Sequence, residues 1–292
     1  MRETFFAMIL AAASIFAFGA EAQTIRFANT DIEGLEELQR EYGAFRDVLE
    51  KLTGYEVEFF PVSNRTVAAE ALRAEQVDFV LTGPSEYTVI TSVTDAEPVV
   101  AFSRVDYYSV IVAMADTGIG APSDLEGKRV AMGDIGSTST HLGPSQVLAD
   151  YGLDPANDVE VLNIGSSEAG FQALMRGDVA AWGTSGATYA RLRAEGAADR
   201  PGDFRVIARG PDLPNDVLMV GSHVDDEIVE AMRNVFVDPD LLAQVHDALM
   251  SVGDDKYKLT SFLTSVVDAD YDYMREAYRA IGQDQFAVRA GE

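Results

Sequence analysis

The chain has 292 residues, 47% hydrophobic and 24% charged, a folded-protein composition long enough for two α/β lobes. It contains no cysteine, so disulfides, thiolate metal sites and cysteine nucleophiles are excluded. The formal net charge of −26 argues against nucleic acid or an anionic membrane surface as a partner, because each would repel such a surface.

The N-terminus has the pattern of a secretory signal peptide. Arg2 supplies a positive start, residues 5–19 form an uncharged and mostly apolar run, and residues 20–22 (Ala-Glu-Ala) fit a small-x-small cleavage site. The run is short for a membrane span of about 20 residues, and no later segment is long and apolar enough to span. We therefore expect residues 1–22 to be removed on export, leaving a periplasmic mature chain with no insertion into the membrane.

The first hundred residues alternate between strand and helix patterns. The predicted order is a strand at 24–28, a helix at 36–52, a strand at 55–62, a helix at 66–74 and a buried strand at 77–81. This order predicts a mainly parallel sheet with helices packed on it. In such sheets ligands bind beyond the carboxyl ends of the strands, where the predicted loop 82–87 lies.

A second set of strands and helices begins near residue 99. Strands are predicted at 99–102, 107–114, 129–132, 159–162, 179–182, 204–208 and 217–220, and helices at 145–151, 167–176 and 187–194. From residue 225 the pattern is helical, with segments at 226–236, 239–251, 256–267 and 271–281. The chain therefore predicts an α/β fold with two mixed, mostly parallel sheets and a ligand cleft between two lobes.

The most distinctive stretch is the turn that follows the strand at 129–132. Four hydroxyl residues stand in succession there, from Ser137 through Thr138 and Ser139 to Thr140. One such hydroxyl is usually only an N-cap, but a run of them beside the unpaired N–H groups of a helix start suits a tetrahedral oxyanion. The acidic surface does not exclude an anion, because its field is screened beyond roughly 10 Å. His141 is a further candidate contact, with a place on the helix face as the alternative.

An exported hydrolase is the main alternative class. It would need a metal cluster, or an activated nucleophile with its base. The chain has three histidines with no pair at metal-ligand spacing, and no Gly-x-Ser-x-Gly elbow. We therefore predict no catalysis, no metal and no cofactor. The sequence does not distinguish a binding protein that serves an importer from one that signals to a membrane receptor.

Five fragments, taken in order, resemble the phosphate/phosphite/phosphonate-binding proteins of ABC importers. They are residues 82–87 (TGPSEY), 107–112 (YYSVIV), 124–128 (DLEGK), 136–139 (GSTS) and 213–216 (LPND). The resemblance implies a two-lobed, type II periplasmic-binding-protein fold with crossings near 103–109 and 209–220. Lobe 1 would comprise 23–105 and 218–292, and lobe 2 residues 106–217. It also implies a monomer that captures a phosphonate, phosphite or phosphate for a membrane permease.

The resemblance further implies roles for individual residues. Ser137, Thr138 and Ser139 match the family's phosphoryl cradle, and Tyr107 matches its tyrosine on the hinge strand. Asp216 matches an acid that meets the ammonium group in aminoalkylphosphonate binders. Plainer alternatives are a core position for Tyr107 and, for Asp216, the ordering of its own Pro-Asn-Asp turn.

Other positions depart from the family's pattern. Arg65 stands where the family often has a tyrosine, Ser167 precedes Glu168 where it has a histidine before an acid, and Ala187 replaces a further acid. We expect Ser85, in the first fragment, to contact the ligand together with Ser167 and Glu168. Arg65 would add a cation with paired donors if it is not simply a surface residue. The missing acid weakens the case for an amine, but neither the ligand's identity nor another anion, such as a sulfonate, is decided.

Overall fold

The computed structural model describes residues 24–31, 34–63, 67–196, 203–250 and 255–291. The expected signal peptide at 1–22 and the candidate Arg65 both lie outside these residues. Within them the chain forms two β-sheets with helices packed against both. None of the described helices is long and apolar enough to cross a bilayer.

The first sheet contains strands from both ends of the chain. Its order is β11-β4-β10-β3-β1-β2, formed by β1 (Thr24–Asn29), β2 (Glu56–Phe59), β3 (Phe79–Thr82), β4 (Glu97–Phe102), β10 (Asp216–Val220) and β11 (Phe262–Leu263). The helices α1 (Leu35–Thr53), α2 (Val67–Arg73) and α3 (Pro84–Val93) follow its first three strands in sequence. This is the β-α-β-α-β unit that the alternating pattern predicts.

The second sheet is formed by the middle of the chain. Its order is β7-β6-β8-β5-β9, with β5 (Tyr108–Met114), β6 (Arg129–Met132), β7 (Glu160–Asn163), β8 (Ala181–Ser185) and β9 (Phe204–Asp212). Its helices are α4 (Gly143–Asp150), α5 (Ser167–Arg176) and α6 (Gly186–Gly196). The two sheets are mixed, as predicted, and the α/β class is confirmed.

Parallel pairs do not predominate, however, so the prediction of mostly parallel sheets is wrong in this respect. Four of the nine pairings among the described strands are parallel, and those of β4, β5 and β10 are all antiparallel. Local β-α-β periodicity indicates the direction of strands joined through a helix. It says nothing about β10, which enters the first sheet between β3 and β4 from far downstream.

The chain passes between the two sheets twice. Residues 103–107 join β4 to β5, and residues 213–215 join β9 to β10. The two connections are hydrogen-bonded side by side, since the Arg104 N–H donates to Asn215 Oδ1 at 3.1 Å and the Leu213 N–H donates to the Tyr107 carbonyl at 2.7 Å. Both lie within the stretches expected to cross, and β10 begins at Asp216, two residues before the predicted boundary at 218.

The C-terminal part contains one segment that the sequence pattern misjudges. The helices α7 (Asp226–Val235), α8 (Pro239–Met250) and α9 (Asp272–Ala280) correspond to predicted helices. The helix predicted at 256–267 is instead a 3₁₀ turn (Asp255–Tyr257) followed by β11. Hydroxyl side chains compete with helical hydrogen bonds, and here Thr260 Oγ1 donates to the Ser103 carbonyl at 2.8 Å. The segment is thereby tied to the first crossing.

An apolar cluster joins the two sheets beside the crossings. It contains Tyr87 of α3 and Tyr271, whose rings stack at 3.8 Å between centroids. It also includes Tyr107, which precedes β5, and Leu142, which precedes α4. Helix α9 packs against both α3 and α4. One apolar cluster therefore supports the elements of both sheets that lie beside the crossings.

Candidate functional site

A cavity of about 240 Å³ lies between the two sheets, beside the crossings. Asp31, Gly83 and Ser137 reach it shortly after β1, β3 and β6, whose carboxyl ends are the usual ligand-binding edge of an α/β sheet. The crossings contribute further residues, and the C-terminal segment adds one lysine. The full lining is Asp31, Gly83, Glu86, Arg104, Tyr107, Ser137, Thr138, Ser139, Asp216 and Lys256.

The four consecutive hydroxyl residues, Ser137 to Thr140, form what we call the hydroxyl turn. From Thr138 onward it is part of a π-helical turn (Thr138–Leu142) that leads directly into α4. Single π turns are rare and occur frequently at functional sites. The Ser137 carbonyl accepts from the N–H groups of both His141 and Leu142, at 3.1 and 2.9 Å. The Ser137 side chain makes no capping hydrogen bond, so its interpretation as a plain N-cap is not supported. The N–H groups at the start of the π turn and the half-buried hydroxyls of Ser137 and Ser139 therefore border the cavity.

The second sheet holds this turn in place. Ser109 Oγ of β5 donates to the Ser139 carbonyl at 3.0 Å, and Thr140 Oγ1 donates to Ser137 Oγ at 2.7 Å. A Cβ atom at Gly143 would lie 2.2 Å from Ser109 Oγ, so a larger residue there would displace the turn. The positions of the hydroxyl groups are thus set by packing against the sheet.

Thr138 uses its hydroxyl to join the turn to α3. Thr138 Oγ1 accepts from the Ser85 N–H at 3.1 Å and donates to Ser85 Oγ at 2.8 Å, and Ser85 Oγ in turn donates to Glu86 Oε2 at 2.9 Å. Residues 84–87, predicted as loop, are the first turn of α3, with Pro84 at the position where its missing N–H costs nothing. Ser85 is fully buried and does not line the cavity. Its structural role is a contact between elements of the two sheets.

We expect Thr138→Val to weaken ligand binding by roughly 10- to 100-fold, because two hydrogen bonds contribute about 1–3 kcal/mol to the contact between α3 and the turn that lines the cavity. Calorimetric titration would measure the affinity, and small-angle scattering would show a larger radius of gyration for the liganded variant. Thr138→Ser keeps the hydroxyl and is expected to retain most of the affinity. A Thr138→Val protein with unchanged affinity would show that this contact is not needed for closure.

Arg104 places a fixed positive charge in the cavity. Its guanidinium carbon lies 3.6 Å from the centroid of the Tyr107 ring, and Nη1 lies 3.7 Å from Asp216 Oδ1. Burial lowers the pKa of Arg104, but Tyr107 and Asp216 raise it more, so its pKa is above the ordinary value. Burial also raises the pKa of Tyr107, which stays a neutral hydroxyl. The cavity thus combines neutral donors with a permanent cation.

Asp216 is the centre of a buried ionic cluster. Its side chain is 1% exposed, and its Oδ2 lies 2.7 Å from Lys256 Nζ and accepts from the Tyr257 hydroxyl at 3.0 Å. Lys256 also forms an ion pair with Asp31. Burial lowers the pKa of Lys256, but the carboxylates of Asp216 and Asp31 outweigh it, and the net pKa lies well above the ordinary value. Asp216 Oδ1 has no hydrogen-bond partner in the part of the chain that the structure describes.

Besides Ser85, three candidate contacts from the sequence do not line the cavity. His141 is buried behind the turn, where its Nδ1 accepts the Gly136 N–H at 3.3 Å. Glu168 is exposed at the start of α5 and forms an ion pair with Arg191 of α6 at 2.7 Å. Ser167, its neighbour on the same turn of α5, is not in the lining either. We therefore do not carry these residues forward as ligand contacts.

Acidification is expected to destabilise the protein through His141. Burial lowers the pKa of the His141 imidazole below its ordinary value of 6.5, so the unfolded chain takes up this proton at a higher pH than the folded protein. The contribution is fully present above pH 6.5 and is lost as the pH falls toward the folded pKa. Urea unfolding between pH 7.5 and 5 should show a smaller loss for His141→Gln, which keeps an acceptor for Gly136. Equal losses would place the titrating group elsewhere.

Sequence reasoning missed the four charged residues of the cavity other than Asp216. Asp31 and Glu86 follow the carboxyl ends of β1 and β3, so the strand-end rule could have identified both. Arg104 lies in a predicted crossing, which was an available signal. No sequence signal pointed to Lys256, because it is remote in sequence from the other cavity residues and lies in a predicted helix that does not form.

Solved structures with the same architecture confirm the two-lobed fold. XAC2383 from Xanthomonas citri bound to ATP aligns with a TM-score of 0.72 at 18% identity, covering 91% of this chain and 100% of that chain. PhnD1 from Prochlorococcus marinus (MIT 9301) in complex with methylphosphonate gives a TM-score of 0.65 at 16% identity, covering 90% and 99%. At these identities the likeness establishes the fold alone.

The sequence comparisons establish the family. The phosphate-import protein PhnD of Mycolicibacterium smegmatis (strain ATCC 700084 / mc(2)155) is 24% identical over 282 residues, which cover 90% of this chain and 87% of that protein. The family model described as "ABC transporter, phosphonate, periplasmic substrate-binding protein" matches residues 30–262, more than half of the chain. The resemblance of the five fragments is thereby confirmed, and the family is one of binding proteins and not of enzymes. The chain belongs to the periplasmic substrate-binding proteins of phosphonate ABC transporters.

Proposed function

We propose that this protein captures a small phosphorus oxyanion, a phosphonate, phosphite or phosphate, in the cavity between its sheets and delivers it to the permease of an ABC importer. The observation that carries the proposal is the hydroxyl turn and Arg104 lining one cavity of about 240 Å³. Drug-sized ligands occupy about 300–1,000 Å³, so a cavity of this size suits a compact ligand.

The donors of the cavity suit tight but reversible binding. Ser137 and Ser139 supply hydroxyls, the π turn supplies backbone N–H groups, and Arg104 supplies charge. Hydrogen bonds to a charged group contribute about 1.5–3 kcal/mol each. Several such bonds hold a desolvated oxyanion without a covalent step, as a transport cycle requires.

Asp216 supports a ligand that carries a proton. A buried carboxylate beside an oxyanion is tolerable when a cation lies between them or when one of the two is protonated. Lys256 and Arg104 provide the cations, and Oδ1 remains as an acceptor for a P–OH group. Fully ionised sulfate has no such proton, so we expect phosphorus oxyanions to bind more tightly than sulfate.

The division of the chain between the two sheets supports an assignment of the two lobes. We assign residues 23–105 to lobe 1 together with the chain from Asp216 onward, since β10 begins there, and residues 106–215 to lobe 2. Closure would bend the two crossings at 103–107 and 213–215, bringing Thr138 to Ser85. Export by the expected signal peptide at 1–22 would place a monomer in the periplasm.

Calorimetric titration of the ligand-stripped protein against phosphate, phosphite, methylphosphonate, 2-aminoethylphosphonate and sulfate tests the ligand class. We expect tight binding of at least one phosphorus oxyanion and no binding of sulfate. Binding of sulfate, or of a sulfonate added to the panel, with phosphorus oxyanions silent would assign the cavity to another anion. Silence across the whole panel would refute this proposal.

A further inference from the structure

We propose that Lys256 determines which phosphorus oxyanions enter the cavity: its ammonium group is an internal cation that pairs with the carboxylates of Asp216 and Asp31 and excludes ligands carrying an amine. This inference rests on the proposed function and deepens it. It makes Lys256 a specificity-determining residue, and it names phosphonates and phosphates without a positively charged substituent as the substrate class.

Lys256 lies between two carboxylates of the cavity wall. Its Nζ is 2.7 Å from Asp216 Oδ2 and is also ion-paired with Asp31. The side chains of Lys256 and Asp216 are 11% and 1% exposed, so this ion pair is almost closed to water, whereas Asp31 forms the more exposed side of the cluster, at 28%. All three residues line the cavity, and the cluster is therefore part of the wall that a ligand would contact.

The charge of the wall depends on this one side chain. The lining includes three acidic residues, Asp31, Glu86 and Asp216, and two basic ones, Arg104 and Lys256. With Lys256 neutralised, only Arg104 would offset the three acids, and the cavity would favour a ligand that brings its own cation. Charges in partly buried pairs, such as that of Lys256 with Asp216, are screened by salt much less than exposed ones, so a single lysine is enough to alter the preference.

Both oxygens of Asp216 already face a cation. Lys256 lies at Oδ2, and Arg104 Nη1 lies 3.7 Å from Oδ1. An ammonium group brought to Asp216 by a ligand would meet these two positive charges at close range. A neutral P–OH donor at Oδ1 would bring no positive charge close to these two cations, so the geometry favours ligands without an amine.

The backbone around Lys256 is fixed to the hinge of the molecule. The neighbouring Tyr257 is buried, and its ring lies 5.5 Å from that of Phe102 at the end of β4. Thr260 donates to the Ser103 carbonyl at the start of the first crossing. The lysine is therefore held in the site by packing, and not as a mobile surface side chain.

The test compares two ligands of equal size, n-propylphosphonate and 2-aminoethylphosphonate, in which a methyl group and an ammonium group occupy the same position. We expect the unmodified protein to bind n-propylphosphonate at least about tenfold more tightly, because like charges brought together at a binding site are costly. Lys256→Met should shift the affinity ratio toward 2-aminoethylphosphonate by roughly a hundredfold. Lys258→Met, the same change at an exposed neighbour, should leave the ratio unaltered.

The outcomes separate this inference from the proposed function. If the unmodified protein binds n-propylphosphonate or methylphosphonate but binds 2-aminoethylphosphonate as tightly, the proposed function stands and the role of Lys256 is refuted. If Lys256→Met has the same ratio of affinities for the two phosphonates as the unmodified protein, the role of Lys256 is refuted as well. If Lys256→Met does not fold, Lys256→Gln removes the same charge and keeps a hydrogen-bond donor, and the ratio in the unmodified protein still decides. Binding of no phosphorus oxyanion at all overturns both proposals.

Discussion

The double variant Ser137→Ala/Ser139→Ala is expected to lose about 3–6 kcal/mol of binding free energy, a fall in affinity of roughly 10²- to 10⁴-fold. Each hydroxyl is half-buried at the cavity wall and is available to a ligand oxygen. The remaining backbone N–H groups and Arg104 cannot replace two donors. Calorimetric titration with the phosphorus oxyanion that the unmodified protein binds most tightly measures the loss.

A matched control separates this loss from a general effect of removing helix-start hydroxyls. Ser166 caps α5, where its Oγ accepts the Ala169 N–H at 3.1 Å, and it lies outside the cavity. Ser166→Ala should cost about 1 kcal/mol of stability with no change in affinity. Unchanged affinity in the Ser137/Ser139 variant would remove the hydroxyl turn from the binding site.

Asp216→Ala is expected to lower the free energy of unfolding by about 3–5 kcal/mol, because removing one partner of a buried ion pair leaves the other charge without its most buried counter-charge. Lys256 would lose its ion pair with Asp216 while that with Asp31 remains, and the Tyr257 hydroxyl would lose its acceptor. Urea denaturation monitored by the single tryptophan, Trp182, measures the change. Adding Lys256→Met to Asp216→Ala should recover part of the lost stability, since the buried lysine charge that Asp216 offset is then absent.

Asp212→Ala is the control for this prediction. Asp212 ends β9 beside the second crossing, and its 79% exposed side chain pairs with Arg209 at 2.9 Å. Exposed ion pairs contribute about 0–1 kcal/mol, so this variant should be nearly as stable as the unmodified protein. Similar losses in the two variants would mean that Asp216 is not the centre of a buried ionic cluster.

Features encoded locally were predictable from the sequence. The strand at 129–132 and the helix at 167–176 have the predicted bounds, because each has a clear apolar period and a turn or cap at its ends. The hydroxyl turn was recognisable because its residues are consecutive. In the structure, Ser137, Ser139 and Tyr107 line one cavity, as the sequence-based interpretation expected of neighbouring ligand contacts.

Features that depend on distant contacts were not predictable. The role of the Thr138 hydroxyl is set by Ser85, which is 53 residues away in sequence. Lys256 reaches Asp216 only because residues 255–263 leave the helical pattern and bind along β4 and the first crossing. No local period encodes such pairings, and the antiparallel entry of β10 was missed for the same reason.

A crystal structure of the protein with methylphosphonate tests the central claim most directly. We expect the phosphorus atom in the cavity, with ligand oxygens within hydrogen-bond distance of the Ser137 and Ser139 hydroxyls and of the Arg104 guanidinium. The Lys256 ammonium should remain on Asp216, with the methyl group away from that carboxylate. Density for the ligand anywhere else, for example in the apolar pocket formed by Ile135 and Tyr278, would contradict the account.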